Sequence, residues 1–527
     1  MNARQIFILV SIASVVITLI LGFISTAFLW LFVIIVPHIL LGIYDLTQRK
    51  STLLQLYPVI GHIRYTLESI RPEIQQYFIE SDIDGRPISR EFRSLIYQRA
   101  KGERDTRPFG TLFDTYRNGY EWLTHSISPS HIHEKNLRVT FGGPDCKQPY
   151  QASPLNISAM SYGSLSKTAI KALSSGAKQG GFAHNTGEGG VSPYHLEGGG
   201  DLIWQVGTGY FGCRNEDGGF DEALFEKTAS NKAIKMIEIK LSQGAKPGHG
   251  GILPAAKLTE EIAQIRIVPM GKDVVSPSGH SAFSNPTGLL TFVKQLRDLS
   301  GGKPIGFKLC IGRKSEFLSI CKAMVETGIT PDFITVDGGE GGTGASPVEL
   351  TNSVGAPMRE GLSFVHSSLI GFGLRDKIKI IAAGKIFSAY HMVRAFALGA
   401  DTVNAARGMM LALGCIQARS CNTDKCPTGI ATQNPDRYLA LDVTNKSERV
   451  ARYQGQMITH LVELLESAGM HSLKDITADR VMRRVTTSEV KSLAELYPVV
   501  APGCLLDQNT VPSHWASDMA MVNTEKW

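Results

Sequence analysis

The sequence predicts an α/β protein, a (β/α)8 TIM barrel with an N-terminal transmembrane helical hairpin and helical flanking segments. Three observations predict it. From about residue 154, short β-rich apolar runs alternate with helix-length amphipathic segments. Nearly every such run ends in a polar, glycine-rich loop. And no charged residue occurs between Gln5 and Tyr44.

Composition narrows the function classes. Hydrophobic residues make up 43% of the 527 and charged residues 19%, which suits compact globular structure rather than disorder. The 54 Lys+Arg against 48 Asp+Glu give +6, too weak an excess over this length to predict a nucleic-acid partner. No Arg/Lys run interleaved with aromatics adds to it. The 53 glycines crowd between Gly163 and Gly408, beside apolar strand-like runs, where they let backbone approach a ligand. Eight cysteines in a chain of this size do not form a disulfide framework.

Residues 1–50 read as a membrane hairpin. A bilayer crossing takes about 20 helical residues. The first span runs from Ile6 to about Leu21, a turn follows near Gly22–Thr26, and the second span runs from Ala27 to about Ile43. A signal peptide has an apolar region of only about 7–15 residues; one long tilted helix is the remaining alternative. Arg4 before the first span, and Arg49 with Lys50 after the second, put both flanks in the cytoplasm. The expected location is therefore the cell membrane, multi-pass, with the catalytic domain in the cytoplasm.

Residues 51–150 form a helical and extended lead-in. Leu56, Ile60, Ile63, Leu67 and Ile70 recur at helical spacing, with Arg64 and Arg71 among them. Such a helix either lies on the membrane surface or packs on its own domain. Asp82–Gly119 is polar and turn-rich and reads as extended.

Residues 151–440 form the barrel. The predicted strands are Leu155–Met160, Gly181–Asn185, Met236–Leu241, Val274–Ser276, Ile305–Cys310, Phe333–Asp337, Ile378–Ala383 and Thr402–Ala405. Helices fall at Lys167–Gln179, Thr259–Ile265, Pro286–Leu299, Glu316–Thr327, Ser388–Leu398 and after Gly361. Eight units over roughly 270 residues fit a (β/α)8 barrel. A doubly wound sheet would require G-x-G-x-x-G after its first strand, and none is there. Residues 441–527 form a C-terminal helical segment.

Barrel chemistry gathers where strands end. A phosphate commonly sits between the last two loops, so Gly384, Lys385, Arg407 and Gly408 are predicted to hold a cofactor phosphate, with Ser161 and Gly339 on neighbouring loops. FMN suits such a site. Lys308, inside a strand among Phe307, Leu309 and Ile311, is placed to meet the flavin N1/C2=O edge; a lysine snorkelling to the rim is the alternative. Glu188, Gln243, Lys246 and His249 are candidates for a polar substrate. Lys246 would pair with a carboxylate, and Glu188 would orient an amine or shift protons. Asp337 and Glu340 sit among glycines and read as loop-shaping residues.

Cys415, Cys421 and Cys426, followed by Pro427, lie just beyond the last strand. Structural zinc favours C-x2-4-C pairs and a fourth ligand, whereas iron–sulfur clusters are often held by one cysteine run ending Cys-Pro. Three thiols suggest a [3Fe–4S] cluster; zinc and unmetallated cysteines stay open from spacing alone.

Together these stretches resemble a known family. Met160–Lys167, Asn185–Gly190, Gln243–Gly248, Asp337–Pro347 and the run Cys415–Cys421 with Cys426-Pro427 are similar to the FMN-binding synthase domain of glutamate synthase. The resemblance covers about residues 154–433, somewhat over half the chain. It implies an FMN barrel with a [3Fe–4S] cluster and reductive amination of 2-oxoglutarate to glutamate. It also implies that Glu188, Gln243 and Lys246 line the substrate pocket. His249 replaces the acidic residue expected at that point.

The sequence departs from the large enzymes elsewhere. No amidotransferase cysteine opens it, no glycine-repeat β-helix follows the barrel, and no nicotinamide fingerprint is present. The chain resembles the short, stand-alone members. They would take ammonia or an amine from a partner, and electrons from a donor that the sequence leaves unidentified. Two other readings keep the barrel: a membrane-linked dehydrogenase of another amino or hydroxy acid passing electrons to quinone, and a non-catalytic electron-transfer subunit.

Overall fold

A computed structural model describes residues 1–133 and 137–527. The chain forms two compact units, Met1–Arg90 and Glu91–Trp527.

In the first unit, a helix over Ala3–Ile24 opens with a capping box in which Asn2 and Gln5 satisfy each other's backbone N–H groups. The chain turns at Ser25, which is extended, and continues through a 3-10 turn into a second helix, Phe32–Thr47. Ala3–Ile24 and Thr26–Thr47 are each long and apolar enough to cross a membrane. Their apolar side chains point outward: Leu9, Phe23 and Ile34 are 60%, 92% and 72% exposed. In the last turn of the second helix, the buried carboxylate of Asp45 accepts from Val59 N at 2.8 Å and His62 Nε2 at 2.9 Å. That clamp fixes the start of the helix Gly61–Ile74, and Ile60, Ile63, Leu67 and Ile70 lie exposed on it.

The second unit is built on a closed barrel of eight parallel strands. They are β1 (Leu155–Ile157), β2 (Ala183–Asn185), β3 (Asp201–Val206), β4 (Ile234–Lys240), β5 (Ile305–Leu309), β6 (Phe333–Asp337), β7 (Lys379–Ala383) and β8 (Thr402–Ala405). Seven match predicted runs; β3 does not. The predicted strand at Val274–Ser276 instead pairs antiparallel with Ile252–Leu253, outside the barrel. Two features hide β3. The crossover before it holds only a five-residue helix, Pro193–Glu197, too short for an ordinary βα unit. Its inward Gln205 also interrupts the apolar run. The stretch Asp82–Gly119 is not wholly extended either, since Arg90–Lys101 is helical and buries Arg93, Ile96, Arg99 and Ala100.

Because strand side chains alternate, the barrel interior fills in layers. Lowest are Ala183, Ile203, Met236, Phe333 and Ile381, plugged by Phe141 and Ala152 from a hairpin of Val139–Phe141 and Tyr150–Ala152. Above them lies a polar layer of Asn185, Gln205, Glu238 and Thr335, all buried and joined by hydrogen bonds. Lys240, Lys308 and Asp337 top the stack at the strands' C-terminal ends. A 25-residue helix, Val443–Ser467, packs on the barrel helix Lys167–Gly180. Gly176 permits the contact, because a Cβ there would lie 2.8 Å from Ser447 O and from Val450. Beyond it, Val481–Arg484 pairs with both Val490–Ser492 and Glu121–Leu123 in a small antiparallel sheet.

Candidate active site

The charged layer closes over the barrel mouth. Glu188, on the loop after β2, accepts from Lys240 Nζ, the last residue of β4, at 2.7 Å. Burial pushes the Glu188 carboxyl up, but Lys240, Arg266 and Lys246 outweigh it and hold the group below the usual carboxylate range. The surrounding backbone leaves no room for side chains: a Cβ at Gly251 would sit 2.4 Å from Glu188 Oε1, and one at Gly207 2.7 Å from Glu188 Cβ.

Lys246, on the loop after β4, is 2% exposed. Burial brings its ammonium down to about 8, with Glu188 opposing and Lys240 assisting. That loop reaches over β5 to the loop after β6, since a Cβ at Gly244 would lie 1.8 Å from Gly338 O. Gln243 is half-buried on the same loop. His249 turns its Nδ1 onto Gly250 O at 3.0 Å, engaging its own backbone.

The structure adds two cations to those the sequence suggests. Lys240 is one. Arg266, the last residue of the helix Glu260–Arg266, is the other. It is 5% exposed, and its Nη2 donates to Tyr162 O at 3.0 Å. Its Nε has no hydrogen-bond partner among the described residues. Burial lowers the guanidinium to about 10 against the pull of Glu188. A basic residue ending a helix ordinarily reads as a dipole cap, and so the pattern conceals it.

Lys308 lies 3.2 Å from Asp337 Oδ2. Burial pulls its ammonium down, yet Asp337, Glu238 and Glu188 outweigh burial and hold it above the ordinary lysine value. Asp337 also accepts from Gly244 N at 3.1 Å, tying the loops after β4 and β6 together. Glu340 accepts from Met358 N at 2.8 Å and so caps the helix Met358–Gly371, the loop-shaping role expected of it.

The loops predicted to hold a phosphate converge around Glu340. Arg407 Nη2 donates to its carbonyl at 2.9 Å, and a Cβ at Gly384 would lie 3.4 Å from its Oε1 and 2.8 Å from Met358 Cβ. Gly339 N donates to Ala356 O. Lys385 adopts a left-handed backbone (φ +48°). The helix Arg407–Leu413 opens without a side-chain cap, and Gly408 sits where a Cβ would approach Tyr453 Oη to 2.8 Å. Ser161, hydrogen-bonded to Ser164 Oγ at 2.9 Å, lies against Gly187 and Gly189 of the Glu188 loop.

The cysteine loop abuts this mouth. Lys257 is buried and donates to Ser164 O at 2.5 Å and Cys421 O at 3.5 Å, bridging the loop after β1 to the cysteines. Burial, with smaller contributions from Cys421 and Cys426 and against the Gln417 N–H, raises Cys415 to about 11, so the three thiols stand near enough to oppose one another's ionisation. Cys426 differs: the Thr428 hydroxyl and the N–H groups of Ala431, Thr428 and Ile430 outweigh burial and lower it. Among the described residues no group of three or more His, Cys, Asp or Glu is already gathered to hold a metal ion. The donor set, three thiols with N–H groups aimed at one sulfur, fits a thiolate-held cluster rather than an oxygen-ligated ion.

A closed parallel barrel whose mouth balances buried lysines and arginine against carboxylates defines a (β/α)8 scaffold with a charged, buried mouth at its strands' C-terminal ends. Comparison with known proteins identifies the kind. Residues 116–471 match the conserved region in glutamate synthase. The chain is 37% identical over 508 residues to the glutamate synthase large subunit-like protein YerD of Bacillus subtilis, covering 88% of this chain and 96% of that protein. It is 33% identical over 362 residues to an archaeal glutamate synthase [NADPH] of Methanocaldococcus jannaschii, covering 68% and 67%. Among solved structures it is similar to a flavocytochrome b2 mutant (12% identity, TM-score 0.42, covering 79% and 85%); the barrel itself stands on its own strand pairing. The chain belongs to the glutamate synthase family and is an oxidoreductase of that type.

Proposed function

We propose that the protein is a membrane-tethered oxidoreductase that binds FMN and a [3Fe–4S] cluster and reductively aminates 2-oxoglutarate to glutamate, using ammonia or a partner-supplied amine. One observation carries the substrate reading: Lys246 and Arg266 flank Glu188 at the mouth, two buried cations around one ionised carboxylate. A dicarboxylate and an ammonium together need such a set.

FMN fits the residues present. Gly384, Lys385, Arg407 and Gly408 would hold its phosphate, Gly339 and Ser161 would line its loops, and Lys308 would face the N1/C2=O edge. Bound there, FMN supplies the hydride that reduces the imine. Cys415, Cys421 and Cys426 would hold the cluster. The chain's own groups do the rest. Lys246 Nζ and Arg266 bind carboxylate oxygens of the substrate, while Gln243 orients it. Glu188, held ionised, binds and orients the incoming ammonium, whose neutral amine form attacks the ketone. Lys246, titrating at about 8, returns a proton to the departing hydroxyl, which leaves as water. Two electrons and two protons then convert 2-oxoglutarate and ammonia to glutamate and water.

The helices Ala3–Ile24 and Thr26–Thr47 would anchor the chain, and the exposed apolar stripe Ile60–Ile63–Leu67–Ile70 would lie in the bilayer surface beside them. These spans also favour a second reading, dehydrogenation of another amino or hydroxy acid with electrons passing to quinone. The full set of buried charges at the mouth speaks against a non-catalytic subunit, since unpaired buried charge is costly.

The test is direct. Protein purified in nanodiscs should absorb near about 450 nm, as flavins do, and should form glutamate from ammonia and 2-oxoglutarate once chemically reduced. Colourless protein overturns the cofactor reading. Flavin reduced by another amino or hydroxy acid, with no glutamate formed, selects the second.

A further inference from the structure

Glu238 is a carboxylate inside the barrel that the proposed reaction does not use. Glu238, within β4, is 1% exposed. Three neutral donors converge on it: Asn185 Nδ2 at 2.8 Å and Gln205 Nε2 at 2.6 Å on Oε1, and Thr335 Oγ1 at 2.5 Å on Oε2. An amide NH2 can only donate. The orientation of Asn185 is fixed independently, because its Oδ1 accepts from Gly187 N at 3.0 Å.

A buried carboxylate is costly unless opposite charge compensates it. Among the described residues no lysine or arginine forms a salt bridge with Glu238. Compensation comes from the layer above. Lys240 lies two residues on, on the same inward face, and Lys308 is in register with both Lys240 and Thr335. Among the described residues, Lys240 pairs with Glu188 and Lys308 with Asp337 at that level, while Lys246 and Arg266 share Glu188. Glu238 is the third carboxylate.

We propose that Glu238 is a positioning residue with two connections: its carboxylate is the counter-charge beneath Lys308 and Lys240, and through Asn185 it holds Gly187 and hence the loop carrying Glu188. The first connection rests on the FMN reading, since Lys308 matters there as the cation at the flavin; the second does not.

Glu238→Gln isolates the charge. Its carbonyl oxygen still accepts from Asn185 and Gln205, and its NH2 donates to a Thr335 hydroxyl turned round to accept, so charge is lost while every hydrogen bond is kept. In FMN-loaded protein, sulfite adds to flavin N5 through its sulfur lone pair and leaves negative charge on the N1/C2=O side, bleaching the flavin. The variant should bind sulfite about tenfold tighter, the order expected when a unit negative charge leaves a partly screened interior. Wild-type affinity overturns the counter-charge role. Thr335→Val, which keeps the charge, should leave sulfite affinity unchanged; an equal shift there overturns the same role.

The loop connection is read without flavin. Glu238→Leu removes the acceptor, and hydrogen–deuterium exchange across Asn185–Gly190 should quicken at least about tenfold as the anchor is lost. Unchanged exchange overturns the positioning role. If Glu238→Leu does not fold, Asn185→Ser severs the same link and reads it instead. Wild-type protein that binds no flavin would defeat the cofactor reading, and the exchange measurement would still decide the role of Glu238.

Discussion

Lys246 is a cation held at a cost, and removing it should stabilise the barrel. Its ammonium falls from 10.5 to about 8 on folding. At about 1.4 kcal/mol per pKa unit, that is at most roughly 3 kcal/mol of native-state penalty, an upper figure because the residue opens onto the mouth. Desolvation is the main cause; Glu188 partly offsets it and Lys240 adds to it. The sign follows from proton counting. Because the folded value is the lower one, the penalty is fully present below pH about 8. It fades as pH rises to 10.5, where the unfolded chain also loses its proton. Lys246→Met keeps most of the stem volume and removes the charge. The variant should therefore exceed wild type in stability by up to roughly 3 kcal/mol at pH 7, with the gap closing between pH 8 and 10.5. Urea unfolding at each pH, followed by the fluorescence of the buried Trp204, measures it. The same variant should raise the KM for 2-oxoglutarate by roughly 30-fold or more, the scale of a lost buried charge pair. Wild-type kcat/KM should fall above pH about 8, as the free lysine discharges. A variant less stable than wild type at pH 7, or a stability gap that ignores pH, would refute the argument.

Other positions give sharper structural tests. Asp332 is 2% exposed and accepts from Arg297 Nη2 at 3.0 Å, Ile305 N at 2.8 Å and Gly143 N at 2.6 Å. Asp332→Ala strands a buried guanidinium and should cost about 3–5 kcal/mol in urea unfolding; a loss below about 1 kcal/mol would contradict the pairing. Cys426→Ser should abolish the cluster signal in electron paramagnetic resonance while flavin absorbance persists, and an intact signal would remove Cys426 from the ligand set. Val16→Arg with Ile34→Arg places a charge mid-span in each helix, at about 2.5–3.5 kcal/mol apiece. Wild type should stay in the membrane pellet through an alkaline carbonate wash and the double variant should not; wild type released by the wash would refute the hairpin.

What the sequence reveals about this fold follows from which faces of an element are buried. β5 to β8 are buried on both faces and read as short, mainly apolar runs with few polar interruptions, so their bounds are legible to within a residue or two. Glycines mark the loops because backbone passes backbone there, as Gly244 passes Gly338. Three cysteines in a chain otherwise poor in cysteine mark their own loop. β3 is hidden by its short crossover. Arg266 is hidden because it stands one position past the predicted end of a helix whose last-turn charge has an ordinary explanation.

Glu238 and Lys240 are a different case, since the signal for them was available. In a parallel barrel the outward face of a strand packs under helices and the inward face fills the core. A charge in mid-strand therefore has nowhere to go but inward, and it must find partners there. Applied to Phe-Lys-Leu, that criterion singles out Lys308. Applied to Ile234–Lys240, whose alternate residues Met236, Glu238 and Lys240 share one face, it singles out an acid and a base stacked above an apolar layer. The structure places both where the criterion requires: Glu238 beneath the charged layer with three donors, and Lys240 on Glu188. The loops of such a barrel can thus be located from glycine and polarity. The charges that set the potential at its mouth are found by asking of each strand which residue could not face outward.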